Sequence, residues 1–570
     1  MTCNDLIRPM LYKEAMSGEP AVKAQCLPFS QIPHTTRLFT DFLAYSPSVQ
    51  PFYPHSPHFS EWSKSEASSL RYDISRRERV SAILERQNNS WEASPQTFAN
   101  LKRLRQGAAA IVTGQQVGLF GGPMFAIYKA LTAVKLAEEA TAAGIDSVPV
   151  FWLATSDHDL AEVNHVSLPG PDGIVRTLAT SSHRVAGAPV SEVRLGEEIL
   201  PVVEEAAALL GESEAAQFLR ECYCPGETLG SAFARLYTRL FGQWGVILLD
   251  AADAELHRVA APIYRSAIER SEELDVALLA RGQALEQAGY YQQVKVTPSS
   301  VLLFAIHQGA RTPIHRRVNG SKTSGSNSAP EFVIGSEAAA KKLSTAELLD
   351  RIVSAPENFS PNVLLRPVVQ DFLLPALATT GGPAEVAYFA QSGAVYETLV
   401  GRVTQIVPRF SATLVEPKIQ RLLDRHGITV LDVFSSPDML RQKLAARNLP
   451  QELQAAFEAA NKSLETNLVA IREKLALLDR TLVDAAQTAG SKMHHQLERL
   501  YTQAARADAQ KGELVGRHAE MLSQTLYPGR ELQERGIGGL YFVARYGSEL
   551  LRSLHESIHT DCHDHQILEL

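Results

Sequence analysis

Apolar residues change rhythm along the chain at places that read as elements. "AAIVTG" (Ala109–Gly114) is a short β-branched run ending in glycine, as buried strands do. "PMFAIYKALTAVKLAEEATAAG" (Pro123–Gly144) follows with helical texture, proline in its first turn and glycine past its end. "VPVFWLATS" (Val148–Ser156) is the next continuous apolar run. Strand, helix and strand within about 45 residues make one βαβ unit with a right-handed crossover. Farther on, Ser231–Gly245 reads as a helix and Val246–Asp253 as a buried strand ending in an acid. Tyr290–Val318 reads as β-hairpins and Arg402–Val415 as a strand. Val363–Gln391 is apolar and reads as helical on either side of a Gly-Gly-Pro break.

Around this framework the pattern is looser. Pro51–Phe59 is too rich in proline for a helix and reads as extended, with helical periodicity after it from Glu61 to Gln106. Leu168–Gly226 is weak and mixed, an insertion; Asn319–Glu331 reads as a flexible loop. Beyond Pro450 the rhythm becomes regular: Leu464, Leu468, Ile471, Leu475, Leu478, Leu482, Ala485 and Ala489 recur in alternating steps of four and three. That is the seam of a coiled coil. Gly490, the interior glycine of this stretch, marks a candidate reversal into an antiparallel hairpin. Two readings stand: an arm at a dimer interface, or a long amphipathic helix packed on its own domain. The tail reads as a loop followed by an amphipathic helix.

Composition narrows the class. A chain of 570 residues is too long for one core and suggests two to four domains. With 45% hydrophobic and 21% charged residues it is an ordinary globular mixture. The formal net charge is −8 and no strongly basic block occurs, so nucleic acid is not the expected partner. No apolar run is long enough for a bilayer, and "MTCNDLIRPMLYKEAM" lacks a signal-peptide core, so the expected location is the cytoplasm. The five scattered cysteines then read as reduced thiols.

Two strand ends carry candidate chemistry. In an open parallel sheet, ligands sit outside the carboxyl ends of strands. The turn Thr113–Pro123 lies at such an end, with Gly114, Gly118, Gly121 and Gly122 leaving backbone unobstructed. N–H groups at a helix mouth attract anions, and Thr113, Gln115 and Gln116 add side-chain donors. Lys129 lies ~9 Å along the helix, but side chains lean back toward the N-terminus. The turn is neither a dinucleotide fingerprint nor a P-loop, so it is either an anion site or simply a tight connection. At the second strand end stand Asp157, His158 and Asp159, followed by Asn164 and His165. A carboxylate there suits a ribose hydroxyl, an ammonium or Mg2+, and a histidine suits proton removal; the alternative is a helix cap with a bystander histidine. Arg366, Gln370 and Asp371 recur at helical spacing, with Arg366 and Gln370 on one face, either as a substrate surface or as an internal ion network. In the cluster His555, His559, Cys562, His563 and His565, the first two lie at i, i+4, a spacing that suits zinc, yet chain ends fray, and Cys222 and Cys224 read as ordinary thiols; no metal site is assigned.

Five separated stretches carry a resemblance: "VTGQQVGLFGGPMFAIYKALTAVKLA", "VPVFWLATSDHDLAEVNHV", "LLRPVVQDFLLPALATTGGPAEVAYFAQ", "VPRFSATL" and "YPGRELQERGIGGLYFVARYG". In this order they resemble the bacillithiol biosynthesis cysteine-adding enzyme (cysteine ligase) family over essentially the whole chain. The resemblance implies an α/β fold: a Rossmann-like parallel-sheet core with connecting insertions and a long helical coiled-coil arm that supports a homodimer. It also implies an activity, joining L-cysteine to glucosaminyl malate in the last step of bacillithiol biosynthesis. The positions matching its motifs are Thr113, Gly114, Gln115, Gln116, Gly118, Pro123, Tyr128, Lys129, Asp157, His158, Asp159, Asn164, His165, Arg366, Pro367, Gln370, Asp371, Gly382, Pro383, Glu385 and Gln391.

Amide formation from a free carboxylate is uphill in water. By analogy with other Rossmann-type ligases, ATP is the expected activator of the cysteine carboxyl, with Mg2+ as a candidate companion. In this scheme the glycine turn holds phosphate, with Lys129 or Arg366 stabilising developing charge. Asp157 or Asp159 holds an ammonium or a metal-bound phosphate, His158 is the base for the sugar amine, and Arg366 and Arg409 meet the malate carboxylates. Rival readings are a nucleotidyltransferase-like enzyme acting on another amino sugar and a coiled-coil assembly protein with a vestigial nucleotide fold. The expected organisation is an N-terminal arm with helices packing on the core (1–105), a first core part (106–165), an insertion (166–230), a core continuation (231–290) and a second, partly β insertion (291–360). Core completion with the substrate-site helices (361–437), a coiled coil (438–512) and a helical tail (513–570) follow. Everything requires that the glycine turn and the acids around His158 open into one crevice.

Overall fold

The computed structural model describes residues 23–181, 185–317, 331–335, 341–447, 451–479, 481–509 and 513–570. The first 22 residues and nearly all of the loop read at Asn319–Glu331 lie outside the described residues.

The centre is a five-stranded parallel sheet. Its elements in chain order are β1 (Ala109–Gln115), α1 (Met124–Ala142), β2 (Ser147–Leu153), β3 (Ile247–Asp250), α2 (Arg366–Leu373), β4 (Ala376–Gly381), α3 (Pro383–Leu399) and β5 (Gln405–Pro408). The spatial order is β3-β2-β1-β4-β5, with every neighbouring pair parallel. Every residue of β2, β4 and β5 is buried, which explains their continuous apolar runs: a parallel sheet is covered on both faces. The chain lays down β1, β2 and β3 in one direction and then returns to the far side of β1 for β4 and β5. Strand order therefore reverses between β1 and β4, the place where a doubly wound sheet opens a crevice beyond its carboxyl edge.

Several expectations are corrected. The stretch Val363–Gln391 is not helix throughout, because β4 lies inside it, paired with β1 on one side and β5 on the other. A short apolar strand between apolar helices has no distinct periodicity, so length and pairing decide it. The strand read at Arg402–Val415 is two strands. β5 joins the central sheet, while Ala412–Val415 enters a three-stranded sheet with Lys23–Leu27 and His565–Glu569. The tail does hold helices, Gly539–Tyr546 and Glu549–Glu556, but they are followed by a strand with a buried His565. The first insertion holds the hairpin His165–Pro169 with Val175–Ala179, and then two helices. The second holds an antiparallel sheet built on the hairpin Ser300–His307 and Ala310–Arg317, within the stretch read as hairpins.

Helices Gln451–Leu478 and Thr481–Ala509 form the arm. Phe457 meets Tyr501, Glu465 meets His494 and Arg472 meets Gln487, a register that only antiparallel helices give. The reversal lies at Asp479, whose carboxylate accepts from the Thr481 N–H at 2.8 Å, and not at Gly490. Gly490 is instead a crossing point: a Cβ there would lie 3.0 Å from Leu468 Cδ1. Of the seam, Leu468 is 7% exposed, whereas Ile471 is 51% and Leu478 79% exposed.

Candidate functional site

A cavity of about 610 Å³ opens at the switch point. Each wall comes from one element. The end of β1 supplies Gly114 and Gln115, with Gln116 just beyond; the end of β2 supplies Trp152, with Ser156 and Asp157 beyond it. Helix α2 presents Arg366, Val369 and Leu373, which fall at i, i+3 and i+7 and so share a face. The first turns of α3 present Glu385 and Tyr388. The hairpin of the second insertion closes over the sheet with Phe304 and Arg311, and the helix Ala254–Glu269 contributes His257 and Tyr264. The start of the glycine turn and the acid at the end of β2 thus share one crevice, joined directly by Gln116 Nε2, which donates to Asp157 Oδ2 at 2.9 Å.

The charges are arranged in two groups. Arg366 stands over Gly114, where a Cβ would lie 3.4 Å from its Nη1, and donates to the Tyr388 hydroxyl. Among the described residues it has no carboxylate partner. In the second group, Gln116 also donates to Glu162 Oε2 at 2.6 Å, and Arg311 Nη1 reaches Asp157 Oδ1 at 3.3 Å. Burial alone would raise the Asp157 pKa, but the Gln116 hydrogen bond and the Arg311 charge outweigh it and hold the carboxyl below its ordinary value. Arg311 is itself fixed by Ser360 Oγ and the Pro361 carbonyl, both at 2.9 Å, and stacks on Phe304. It also donates to His158 Nδ1 at 3.0 Å. A guanidinium has no acceptor atom, so that nitrogen accepts, and the neutral ring carries its proton on Nε2.

The glycine turn does not work as a phosphate cradle. Its second half is a knot closed on itself. Leu119 N donates to the Val163 carbonyl at 2.7 Å, Gly121 N to the Tyr223 hydroxyl at 3.2 Å, and Met124 N to the Ile537 carbonyl at 2.9 Å. Pro123 bridges to Gly538, and Phe120 is buried within the bend. A Cβ on Gly118 would lie 2.9 Å from Gly122 Cα, so that glycine serves close approach rather than a ligand. Gly118 and Pro123 therefore drop out of the site. At the mouth of α3 the anion is internal: Gly382 N donates to Glu385 Oε2 at 3.0 Å.

Lys129 is also reassigned. Its ammonium donates to Gly114 O at 2.9 Å, to Gln115 Oε1 at 2.7 Å and to Glu385 Oε1, using all three protons beneath the cavity floor. Burial lowers its pKa against the pull of Glu385; the Glu385 carboxyl, which burial alone would raise, is brought down to about 2 by Lys129. Lys129 therefore holds the floor in shape, with no ammonium proton left over for an anion.

Other expected site residues lie elsewhere. Thr113 bonds to the Thr380 carbonyl inside the sheet, and the Tyr128 hydroxyl donates to the Ala412 carbonyl in the core. Asp159 is exposed and caps a short turn through Ala161 N. Asn164 reaches the Thr180 carbonyl, and His165 is exposed on its hairpin. Gln370 lies one turn on from Arg366, but its amide donates to the Thr379 hydroxyl at 2.9 Å and it does not line the cavity. Asp371 is buried against Thr404 and Arg402. Gln391 pins Val294 through both its amide atoms. Arg409 is committed to Glu534 at 2.5 Å in a buried pair and is not available to a malate carboxylate. In the tail, His565 bonds to Ser411 and Thr413 and His555 to Glu138.

Sequence reasoning missed Arg311, Glu162, His257, Tyr264 and Tyr388. Tyr388 had a signal, since it lies one turn after Glu385 on the helix opened by Gly-Gly-Pro. His257 had one too, in the first turn of a helix after a core strand. Arg311 had none, because a hairpin more than a hundred residues away delivers it.

Comparison with known proteins agrees with this architecture. The model of the bacillithiol biosynthesis BshC N-terminal Rossmann-like domain matches residues 22–410, and that of the BshC C-terminal coiled-coil domain matches residues 412–570. A relative from Koribacter versatilis is 46% identical over 96% of this chain and 99% of its own length. One from Solibacter usitatus is 36% identical over 95% and 99%, and one from Geobacillus sp. 28% identical over 91% and 95%. All three bear the name "Putative cysteine ligase BshC". With the two domain models together matching residues 22–570 but for one position and a relative 46% identical over nearly its whole length, the chain belongs to the bacillithiol biosynthesis BshC family.

Proposed function

We propose that this chain is a carbon–nitrogen ligase that joins L-cysteine to glucosaminyl malate, the last step of bacillithiol biosynthesis. The observation that carries the reading is Arg366, without a carboxylate partner among the described residues, lining the switch-point cavity together with the acids Asp157 and Glu162. A guanidinium takes a carboxylate or phosphate bidentately, and the Tyr388 hydroxyl beside it supplies a further polar contact. One anionic group fits there: a malate carboxylate, or the phosphate of an activated acyl group. The acids suit hydroxyl and amine groups of a sugar. A volume of about 610 Å³ is in the range of small-molecule sites.

ATP with Mg2+ is the proposed source of carboxyl activation. The closed glycine knot offers it no triphosphate cradle, so no phosphate subsite is assigned to that turn. We also propose that the arm joins two copies of the chain, which its exposed Ile471, Leu477 and Leu478 favour.

The test is restoration of bacillithiol in a bacterium whose own gene of this family has been deleted. Thiols are labelled with a bimane and identified by mass. Return of bacillithiol is the expected result; accumulation of glucosaminyl malate without bacillithiol overturns the reading. Purified protein with both substrates, with and without ATP, then tests the energy donor.

A further inference from the structure

One wall of the cavity carries a pair that the charge arrangement above does not use. His257 sits in the first turn of the helix Ala254–Glu269, which Asp253 caps through the N–H groups of Glu255 and Leu256. Seven residues on, and so on the same face, stands Tyr264. Its hydroxyl lies 3.0 Å from His257 Nδ1. Both rings line the cavity although both side chains are almost wholly buried from outside solvent, at 4% and 2% exposure. Nε2 of His257 has no hydrogen-bond partner among the described residues. A buried imidazole with one nitrogen held and the other left to a cavity has the layout of a general base and the group that orients it.

On the reading that the cavity joins an amine to an activated cysteinyl carboxyl, we infer that His257 is the proton acceptor for the attacking amine and that Tyr264 positions its ring. His158, the sequence-based choice, has Nδ1 engaged by Arg311 and does not line the cavity. In the step assigned here the amine nitrogen attacks the carbonyl carbon of a cysteinyl–phosphate mixed anhydride. The new C–N bond forms, the C–O bond to phosphate breaks, and the phosphate leaves with the electron pair. The nitrogen becomes strongly acidic once it is bonded to carbon, and its proton passes to His257 Nε2. The required tautomer carries hydrogen on Nδ1, which donates to the Tyr264 oxygen. Burial lowers the His257 pKa to about 4 against the opposing charges of Asp253 and Glu357, so the ring is neutral and able to accept at neutral pH.

The experiment uses the full chain in the deletion strain. His257→Asn keeps an N–H for Tyr264 and removes the base; bacillithiol formation is expected to fall about 100-fold or more, with the melting temperature unchanged. Tyr264→Phe is expected to cost less, and to move the pH at which His257 of the purified protein is half modified by diethylpyrocarbonate, a shift that loss of packing alone does not produce. Should His257→Asn fail to fold, the unsubstituted protein decides: modification of His257, mapped by mass, should track loss of product, and millimolar glucosaminyl malate should slow it at least several-fold. Full bacillithiol formation by folded His257→Asn overturns the inference while leaving the ligase reading intact, as does a His257 that the reagent never reaches. No bacillithiol from the unsubstituted chain overturns the ligase reading, and the inference with it.

Discussion

At the level of single residues, the site separates groups that meet a ligand from groups that hold the floor beneath it. Arg366 is of the first kind. Removing a charged hydrogen-bond donor costs about 1.5–3 kcal/mol, so Arg366→Ala should weaken binding of the anionic substrate by roughly 10- to 150-fold, read by calorimetry with glucosaminyl malate. Arg366→Lys keeps the charge but loses the fork and should recover only part of this. Lys129 is of the second kind. Lys129→Met leaves Glu385, 24% exposed at the cavity floor, without its cation and should cost about 1.5–3 kcal/mol in urea unfolding, much of which the double change Lys129→Met, Glu385→Leu should restore. Asp371 supplies a pH signature. Burial raises its pKa to about 7, outweighing Arg402 and Thr404. Its contribution is therefore full below the unfolded value near 4 and is lost as pH rises through 7. Asp371→Asn should gain stability relative to the unsubstituted chain between pH 5 and 8, measured by urea midpoints at each pH. Which residues were legible follows the same division. Gln116 and Asp157 stood out as polar groups closing apolar runs, and Arg366 through its helical spacing with Gln370. Thr113 was singled out beside the glycine turn, Tyr128 by the family resemblance and Arg409 as a guanidinium for carboxylates, and all three, with Gln370, bond inside the protein instead.

At the level of elements, periodicity identified what could be recognised in isolation. β1, α1 and β2 were readable because strand, proline, helix and glycine follow one another without interruption. β4 was not, since its six residues are set between two apolar helices and only its neighbours β1 and β5 make it a strand. The glycine turn shows the limit of composition: four glycines mark close backbone approach, but composition does not say whether a ligand or the chain itself comes close. Gly490 teaches the same lesson in the arm. Gly490→Leu would force a branched side chain against Leu468 and should splay the helix pair, lowering the arm's helicity and thermal transition in circular dichroism while leaving the core transition in place.

At the level of the whole molecule, the long apolar seam predicted association, and the antiparallel hairpin leaves much of that seam uncovered. If two copies meet there, Leu477→Lys combined with Leu478→Lys should convert a dimer to a monomer in light scattering. The small sheet made of Lys23–Leu27, His565–Glu569 and Ala412–Val415 was illegible, because no local pattern announces pairing between residues more than five hundred positions apart. It has a consequence for how the protein is made. Ser411 and Arg409 find Glu534, His565 closes over Ser411, and Arg409 and Glu385 both border Gly382. A ribosome delivers the parallel strands long before it delivers that last histidine. The nascent chain must therefore wait with its central charges incompletely matched until Glu534 and His565 have emerged, and a product that stopped short of His565 would lack the clasp over Ser411 and Thr413.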